Sequence, residues 1–300
     1  MKDIVITKHG NNKKDGVLYP DGNCTKLLYS EEKFEAFAEI MPKGTVGVMF
    51  TVTGERLEFY YMLSGKLEIM DHDETVIVEQ GDTYSHHELT RNYMFRVLEN
   101  AEILGISTNP CYEEYQEDIE HLVEILNEIQ AVDGDTLEHC NRVKTITLDI
   151  AYFMKYDSSK LLDLYYAAKF HDVGKIKIPV EILLKPGRLD DEEYAIMKKH
   201  SQYTYELIRE YYGEDVASIA YEHHEMLNGT GYPRGLKGDQ IGLAARIICV
   251  ADAYDAMTVT RPYRKGMSKI AALKELRRCE GTQFDAFVVD ALEVYLDSLE

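Results

Sequence analysis

The spacing of apolar residues changes once along the chain, and this change limits the folds that the chain can adopt. In the N-terminal third, short apolar and β-branched runs such as Gly47–Val52 and Lys66–Met70 are separated by Gly and Asp turns. Such a series is typical of a small β-barrel or sandwich. Later segments follow the 3.6-residue period of long helices. The sequence therefore predicts a multidomain α and β protein, with a small β-barrel over 1–110, a connector over 111–132 and an all-α bundle over 133–300.

The charge and composition exclude several classes of partner. The 300 residues carry a formal net charge of −20, which repels nucleic-acid backbones and acidic membrane surfaces. No apolar run reaches the ~18–20 residues that span a bilayer, and the first residues lack the apolar core of a signal peptide. We therefore expect a cytoplasmic protein with no nucleic-acid polymer and no membrane as partner. The five cysteines form no CxxC pair, which argues against a zinc site built from Cys.

Two segments of the N-terminal part resemble the motifs of cupins. Tyr60–Glu68 is similar to the strand, turn and strand that end the first cupin motif, and Val78–Tyr84 resembles the start of the second. The resemblance covers roughly residues 40–108. It implies a cupin-like β-barrel, to which we assign a sensory or regulatory role.

The histidines of this barrel allow two interpretations. Metal-binding cupins carry a His-x-His pair, but the corresponding region from Met49 to Phe59 contains no His. His86 and His87 lie near the position of a second-motif ligand, yet adjacent side chains on a strand point to opposite faces. Either one of the two binds a metal or both are loop residues. The second interpretation is favoured, and it predicts a barrel that senses or dimerises without a catalytic metal.

The connector has the pattern of an amphipathic helix. Between residues 112 and 131, apolar side chains recur at i, i+3, i+4 and i+7, and the other face is acidic. Such a helix can pack on the next domain, or it can pair with a copy of itself. The second arrangement predicts a homodimer formed through the barrel and the connecting helix. The apolar positions are Ile119, Leu122, Val123, Leu126 and Ile129.

Histidines and aspartates accumulate in the helical part. His171 and Asp172 are adjacent at a predicted helix end, and imidazole and carboxylate are common ligands of first-row metals. Asp252 lies in a largely apolar helix predicted over 241–257, where an unpaired charge would be costly unless a cation compensates it. Side chains that converge from several helices form the metal sites of helical bundles. The sequence therefore predicts a metal site that draws on His139, His171, Asp172, His200, His223, His224 and Asp252.

Six segments of this part resemble the HD-GYP subset of the HD-domain metal phosphohydrolases. The similarity covers about residues 135–298. It implies hydrolysis of the cyclic dinucleotide messenger cyclic di-GMP to pGpG or GMP, by attack of a metal-bridging hydroxide, with regulation by the barrel. The segments are His171–Ile176, Ile182–Leu189, His223–Glu225, Asn228–Leu236, Ala245–Asp252 and Arg261–Arg264.

The resemblance also implies roles for individual residues. Asp172 matches the ligand that bridges two metals, and Lys175 matches the lysine that contacts the scissile phosphate, so these two are the predicted catalytic residues. Mixed His and carboxylate ligands favour iron or manganese over a closed tetrahedral zinc site. The matched metal ligands are His139, His171, Asp172, His200, His223, His224 and Asp252. The matched substrate-binding residues are Lys175, Arg261, Arg264, Gly231, Tyr232 and Pro233.

Two positions depart from the family pattern. Some members carry a Glu four residues before the first ligand histidine; here Asp135 stands at that position, either as a ligand or as a helix cap. We therefore expect two divalent metal ions, and three if Asp135 is a ligand. Where Arg-x-Asp is common, this chain has Met226–Leu227–Asn228, which replaces charge by apolar and amide groups.

Three functions remain open from the sequence. Hydrolysis of cyclic di-GMP is favoured, because every core ligand position is filled. A cyclic di-GMP receptor with little or no turnover is the first alternative, which the departure at 226–228 keeps open. A hydrolase of another cyclic dinucleotide is the second.

Overall fold

The three-dimensional structure is a computed structural model. It describes residues 17–18, 22–50, 57–71, 74–87, 89–108, 110, 124–125, 127–128, 131, 134–260 and 265–299. Most of the predicted connector lies outside these ranges, as do Arg261 and Arg264, and only the backbone of Asp135 is described. The three domain boundaries and the homodimer remain predictions. Within the described ranges, no helix has the length and apolar character that a membrane crossing needs.

The N-terminal part is an antiparallel sheet of eight described strands. Hydrogen bonds connect the strands in the order β1-β2-β3-β8-β5-β6, while β4 also pairs with β8 and β7 with β5. The strands are β1 (Val17–Leu18), β2 (Cys24–Glu31), β3 (Phe34–Met41), β4 (Val46–Met49), β5 (Glu58–Met70), β6 (Thr75–Glu79), β7 (Thr83–His86) and β8 (Tyr93–Ser107).

The predicted β-structure of the N-terminal part is confirmed, with one correction to the barrel. Among the described strands, β1 and β6 stand at opposite ends of the hydrogen-bonded path, so the sheet is not a closed barrel. Short alternating strands with tight turns predict that neighbours pair. Closure depends in addition on the stagger between strands, which the alternation does not encode.

An aromatic row crosses one face of the sheet. Directly paired residues of antiparallel strands point to the same face, and the pairing aligns Phe37, Gly105, Tyr60 and Tyr84. The Tyr60 and Tyr84 rings stack with centroids 4.7 Å apart. A Cβ atom at Gly105 would lie 2.2 Å from the Phe37 ring, so glycine is needed where this ring crosses β8.

Carboxylates flank the aromatic row on both sides. Glu58 is buried, and its Oε2 atom lies 3.2 Å from His86 Nε2. Glu39 lies two residues after Phe37 on β3, in the next row on the same face of the sheet. Burial, together with repulsion from Glu58, raises the pKa of Glu39 to about 7. His86 lies in β7 and not in a loop, so the prediction that it is a loop residue is wrong. That it binds no metal stays a prediction.

Replacing Glu39 with glutamine is expected to remove a pH dependence of stability. The folded state holds the Glu39 proton more tightly than the unfolded chain does, since its folded pKa is about 7 against an ordinary value of 4.5. The free energy of unfolding therefore falls as pH rises between these two values, by on the order of 2 kcal/mol, and is level above them. Urea unfolding at about pH 5 and about pH 8 measures this fall. If the free energy of unfolding fell by the same amount in Glu39→Gln, another titrating group would be responsible for the pH dependence.

The C-terminal part is helical, as predicted. Short 3-10 turns at Ser158–Lys160, Val173–Lys177 and Gly238–Gln240 separate some of the helices. The helices are α1 (Gly134–Phe153), α2 (Leu161–Phe170), α3 (Val180–Leu183), α4 (Asp191–Met197), α5 (His200–Tyr221), α6 (Leu243–Thr258), α7 (Lys269–Arg278) and α8 (Ala286–Asp297).

The core of the helical part surrounds α1. This helix packs against α2, α6 and α8. Its Leu148 and Ile150 are fully buried, as are Ile247, Ile248 and Val250 of α6. A helix with such a long run of apolar residues is stable only when protein covers most of its surface, which agrees with the prediction for this segment.

One cluster of buried apolar side chains spans the sheet and the helices, and the sheet holds a second cluster of its own. Val46 and Met94 of the sheet belong to the same cluster of buried side chains as Leu148 of α1. Arg96 of β8 donates a hydrogen bond to the buried carboxylate of Asp149, also on α1. Because α1 carries His139 as well, the sheet contacts a helix that supplies a predicted metal ligand.

Candidate metal centre

The seven predicted core ligands come together where α1, the end of α2, both ends of α5, and α6 meet. They form two groups, and within each group the candidate ligand atoms lie within 4.8 Å of one another. One group is Asp172, His200, His223 and His224. The other is His139, His171 and Asp252.

Asp172 lies between the two groups and turns one oxygen toward each. Its Oδ1 atom is 3.3 Å from His200 Nε2 and 4.0 Å from His223 Nε2. Its Oδ2 atom is 3.5 Å from His171 Nε2 and 3.6 Å from His139 Nε2. A carboxylate in this position can bind one cation through each oxygen.

Helix ends orient three of the histidines. The last carbonyls of a helix have no partner within it, and His171, His200 and His223 each place Nδ1 against such a carbonyl. The acceptors are the carbonyl oxygens of Ala168, Met197 and Ala220, at 2.8, 2.8 and 2.6 Å. Because a carbonyl only accepts, Nδ1 carries the proton and Nε2 keeps the lone pair that a metal binds.

His139 is oriented by a residue that the sequence did not single out. Its Nδ1 atom lies 2.7 Å from Oδ2 of Asp255, which is one helical turn after Asp252 on α6 and is buried. Arg142 donates to both oxygens of Asp255, at 2.6 and 3.0 Å. The arginine compensates the buried carboxylate, and the carboxylate fixes the imidazole. The spacing of Asp255 from Asp252 was the available signal, since residues i and i+3 of a helix share a face.

The donor set fits divalent cations. Three buried atoms, Nε2 of His171, Nε2 of His223 and Oδ1 of Asp172, make no hydrogen bond within the described residues. Buried polar atoms are nearly always paired, so three such atoms at one centre point to a cation site. All three are acceptors or can present a lone pair, which is what a cation requires.

The acid–base properties of the centre agree with cation binding. Burial lowers the pKa of His200 and of His223 to about 4, so both are neutral at physiological pH. Burial disfavours the charged form of Asp172, but the nearby Lys175 and histidines outweigh it and hold its pKa well below the ordinary value. The centre therefore offers ionised carboxylates beside neutral imidazoles, the forms in which both bind metals.

His139 differs from the other histidines in its proton affinity. Burial favours the neutral ring, but hydrogen bonds to Asp252 and Asp255 outweigh burial and raise its pKa to about 9. Its Nε2 atom lies 3.2 Å from Oδ1 of Asp252. A cation that binds both residues must displace the proton between them, which couples metal binding to proton release.

Lys175 places a positive charge against the centre. Its Nζ atom lies 2.5 Å from Oδ2 of Asp172. The 3-10 turn that carries it packs directly on α5: Thr204 Oγ1 accepts a hydrogen bond from Gly174 N at 2.9 Å and donates one to His171 O at 3.0 Å. A Cβ atom at Gly174 would lie 2.1 Å from His200 O, so glycine permits this close approach.

The Gly231–Pro233 loop borders the centre beside His224. The Tyr232 ring lies 4.7 Å from the His224 ring and 6.2 Å from the His200 ring. The Tyr232 amide donates to His224 O at 3.2 Å. A Cβ atom at Gly231 would meet the backbone of 224–226 at 2.4–2.6 Å. Gly231 therefore allows the loop to pack against the chain that carries two ligands.

Glu225 holds the end of this loop. Its buried carboxylate accepts hydrogen bonds from three consecutive backbone amides, Arg234 at 2.6 Å, Gly235 at 3.1 Å and Leu236 at 2.9 Å. The segment Met226–Leu227–Asn228, which departs from the family pattern, forms the turn between Glu225 and the loop. Asn228 Oδ1 accepts from the amide and hydroxyl of Thr230, at 2.9 and 2.7 Å.

Replacing Glu225 with glutamine is expected to loosen the loop. Glutamine retains one oxygen, so at least one of the three amides would face its NH₂ group and lose its acceptor. An unsatisfied buried donor costs ~1–3 kcal/mol, and this loss should appear in the free energy of unfolding. Glu275→Gln is the control, because Glu275 pairs with Arg278 at the protein surface. Equal stability of the two variants would mean that the three bonds do not hold the loop.

A family comparison covers the helical part and the centre within it. The model of the HD domain family matches residues 124–288, which is more than half of the 300 residues. The chain belongs to the HD domain family. This confirms the HD domain family predicted from the six segments. The individual roles of the ligand and substrate-binding residues remain predictions.

Several HD domain relatives have named activities. The chain is 34% identical over 209 residues to a cyclic di-GMP phosphodiesterase of Thermotoga maritima, a match that covers 68% of this chain and 57% of that protein. It is 36% identical over 200 residues to the cyclic di-GMP phosphodiesterase response regulator RpfG of Xanthomonas campestris, covering 66% and 52%. It is 31% identical over 227 residues to 3′3′-cGAMP-specific phosphodiesterase 1 of Vibrio cholerae, covering 70% and 52%. The chain spans about half the length of these curated relatives.

Solved structures, among them a cupin, are similar to the N-terminal part. KdgF from a Halomonas species covers 33% of this chain and 90% of its own, with 16% identity and a TM-score of 0.29. An RmlC-like cupin from Desulfovibrio desulfuricans covers 35% and 99%, with 15% identity and a TM-score of 0.29. These low scores add nothing to what the strand pairing shows.

Proposed function

We propose that this HD domain protein is a metal-dependent phosphodiesterase that hydrolyses cyclic di-GMP. The observation that carries the proposal is the position of Asp172, whose two oxygens face the two groups of candidate ligands. One carboxylate between two such groups suits a pair of cations. The names of the relatives from Thermotoga and Xanthomonas support cyclic di-GMP as the substrate.

The residues of the centre would hold two divalent metal ions, for which iron and manganese are the proposed identities. His200, His223 and His224 would bind one ion, and His139, His171 and Asp252 the other, with Asp172 between them. Such a pair supplies Lewis acidity to a phosphodiester and activates water as a nucleophile at neutral pH. A third ion would depend on Asp135.

The chain's own residues would bind and orient the phosphodiester. Lys175 brings a compact positive charge to the centre, which an acidic protein needs in order to accept a doubly charged dinucleotide. Tyr232 covers the His224 side of the centre and limits the entry of water. Arg261 and Arg264 are proposed as further contacts to phosphate or guanine, from outside the described residues.

Several finer points belong to the same proposal. The product would be linear pGpG, with GMP as the product of a second hydrolysis. The sheet would regulate the centre through α1, which Arg96 contacts at Asp149 and which carries His139. A homodimer through the sheet and the connector would be one means of such regulation.

A second candidate substrate has its own support. Several relatives are named as 3′3′-cGAMP-specific phosphodiesterases, and one of them is 38% identical over 165 residues. The same metal centre would serve both reactions, because the scissile group is a phosphodiester in each. The choice between the substrates would then depend on contacts to the bases.

The test is a hydrolysis assay with defined metal content. The protein is loaded anaerobically with iron or with manganese and incubated separately with cyclic di-GMP and 3′3′-cGAMP, and linear products are separated by chromatography. We expect linear product from cyclic di-GMP and about two metal ions per chain. Tight binding of cyclic di-GMP without product, with either metal, would overturn the enzyme and favour a receptor. Product from 3′3′-cGAMP alone would assign the second substrate.

A further inference from the structure

A lysine and a tyrosine that have no role so far form a surface with Tyr232 beside the metal centre. Tyr194 and Lys198 are four residues apart at the end of α4, so they lie on the same face. Lys198 Nζ lies 5.0 Å from the centroid of the Tyr194 ring and 5.9 Å from that of the Tyr232 ring. The two rings meet edge to face at 6.5 Å. We call these three residues the α4 surface.

Lys198 has no anionic partner within the part of the chain that the structure describes. Its ammonium group makes no hydrogen bond or ion pair there, although the side chain is half-buried. Carboxylates outnumber cations in this protein, which has a net charge of −20. Lys185, by contrast, is paired with Glu193 of the same helix as Tyr194. The Lys198 donors are therefore available to a ligand.

The α4 surface is fixed relative to the metal centre. The end of α4 is tied to the centre by the bond between Met197 O and His200 Nδ1. Its start is closed by a capping box, in which Asp190 and Glu193 each accept the other's backbone amide. The Tyr232 ring continues the surface to His224. A molecule with its phosphate at the centre can thus reach Lys198 along Tyr232.

The Tyr194 ring is partly exposed at the outer end of this surface. The side chain is 47% exposed, which is high for a large ring that already contacts a lysine and a second ring. Exposed aromatic faces stack on nucleobases, and the stacking tolerates any base. The surface therefore combines a stacking platform with a free cationic donor.

We propose that the α4 surface is the guanine subsite of the enzyme and that Lys198 determines its preference for guanine. This inference rests on the proposed function. The base stacks on Tyr194, and Lys198 donates to O6 and N7 of guanine. Both atoms are acceptors, whereas adenine presents an N6 amino donor in place of O6. A lysine has only donors, so it bonds to both acceptors of guanine, whereas at adenine repulsion by the N6 amino group offsets the bond to N7.

The test compares substrate preference in three variants. We measure kcat/KM for cyclic di-GMP, and the inhibition constant of cyclic di-AMP against it. Lys198→Ala should lower kcat/KM for cyclic di-GMP roughly tenfold or more, mainly through KM, and leave cyclic di-AMP binding within about twofold. Lys198→Gln should strengthen cyclic di-AMP binding, because its amide oxygen accepts from N6. Tyr194→Ala should weaken both ligands by a similar factor.

Two controls accompany these variants. Arg209→Ala removes another cation that lies over a tyrosine, 5.7 Å from the Tyr205 ring, on an exposed part of α5; it should leave both constants unchanged. Metal content should be unchanged in every variant, since none replaces a predicted ligand.

The outcomes separate the inference from the function on which it rests. Equal losses for both dinucleotides in Lys198→Ala would overturn the inference, because they indicate a contact to phosphate. No loss in Lys198→Ala would overturn it as well. Absence of both binding and hydrolysis of cyclic di-GMP in the unmodified protein would instead overturn the proposed function, and the guanine subsite with it.

Discussion

Replacing Asp172 with alanine is expected to remove the bound metals and abolish hydrolysis. The variant loses Oδ1 from the group that contains His200 and Oδ2 from the group that contains His139. Substituting a residue that only hydrogen-bonds to a metal ligand typically lowers metal affinity or activity by ~10–100-fold. Loss of a ligand that two ions share should therefore have a larger effect. Metal analysis of protein purified under anaerobic conditions, together with the hydrolysis assay, measures both effects.

A second variant separates metal loss from unfolding. Asp172→Asn keeps the size and one oxygen of the side chain, and it should also lose metal while retaining the circular dichroism of the unmodified protein. Asp290→Ala is the matched control, since Asp290 is an exposed carboxylate that pairs with Arg277 and is not a predicted ligand. Full metal content and activity in Asp172→Ala would contradict the proposed two-metal centre.

The main features of the fold follow from the periodicity of the sequence. Short alternating segments predict the antiparallel sheet, and the long apolar segment around Ile247 predicts the buried helix α6. The pattern did not predict the break between α4 and α5, because a continuous helix from Asp190 through His200 has the same period. The structure ends α4 at Met197, and this end frees the carbonyl that His200 Nδ1 satisfies.

The ligands could be predicted more fully than the residues that orient them. Histidines are scarce and a buried aspartate is costly, so His171, Asp172 and Asp252 stand out in any helical segment. The spacing of Asp255 from Asp252 places it on the same helix face, but it does not reveal the partner His139, which is 116 residues away in the chain. A contact over such a distance is created by the packing of α1 against α6, and no local pattern records it.

The α4 surface was missed for a related reason. Tyr194 and Lys198 belong to a helix whose sequence is that of an ordinary charged surface segment. Their significance depends on Tyr232, which follows α5 and returns to the same side of the centre. Contact between the sheet and α1 is likewise a product of packing, since Arg96 and Asp149 lie 53 residues apart.

Replacing Asp255 with asparagine is expected to weaken metal binding without removing a ligand. In the unmodified protein, His139 Nδ1–H donates to the charged carboxylate of Asp255, which orients the ring and strengthens Nε2 as a ligand. Asparagine keeps the shape but removes this charge, and Arg142 loses its bidentate partner. We expect the affinity for manganese to fall by ~10–100-fold. Competition with a chelator measures this affinity independently of hydrolysis.

A matched variant distinguishes orientation of the ring from general loss of stability. Arg142→Gln removes the arginine but leaves the hydrogen bond between His139 and Asp255, so its metal affinity should fall less than that of Asp255→Asn. Nitrogen NMR of the His139 ring reports which nitrogen carries the proton, and Asp255→Asn should lose the fixed Nδ1–H form. An unchanged manganese affinity in Asp255→Asn would show that His139 is positioned by α1 alone, since the helix would then hold the ring without its carboxylate partner.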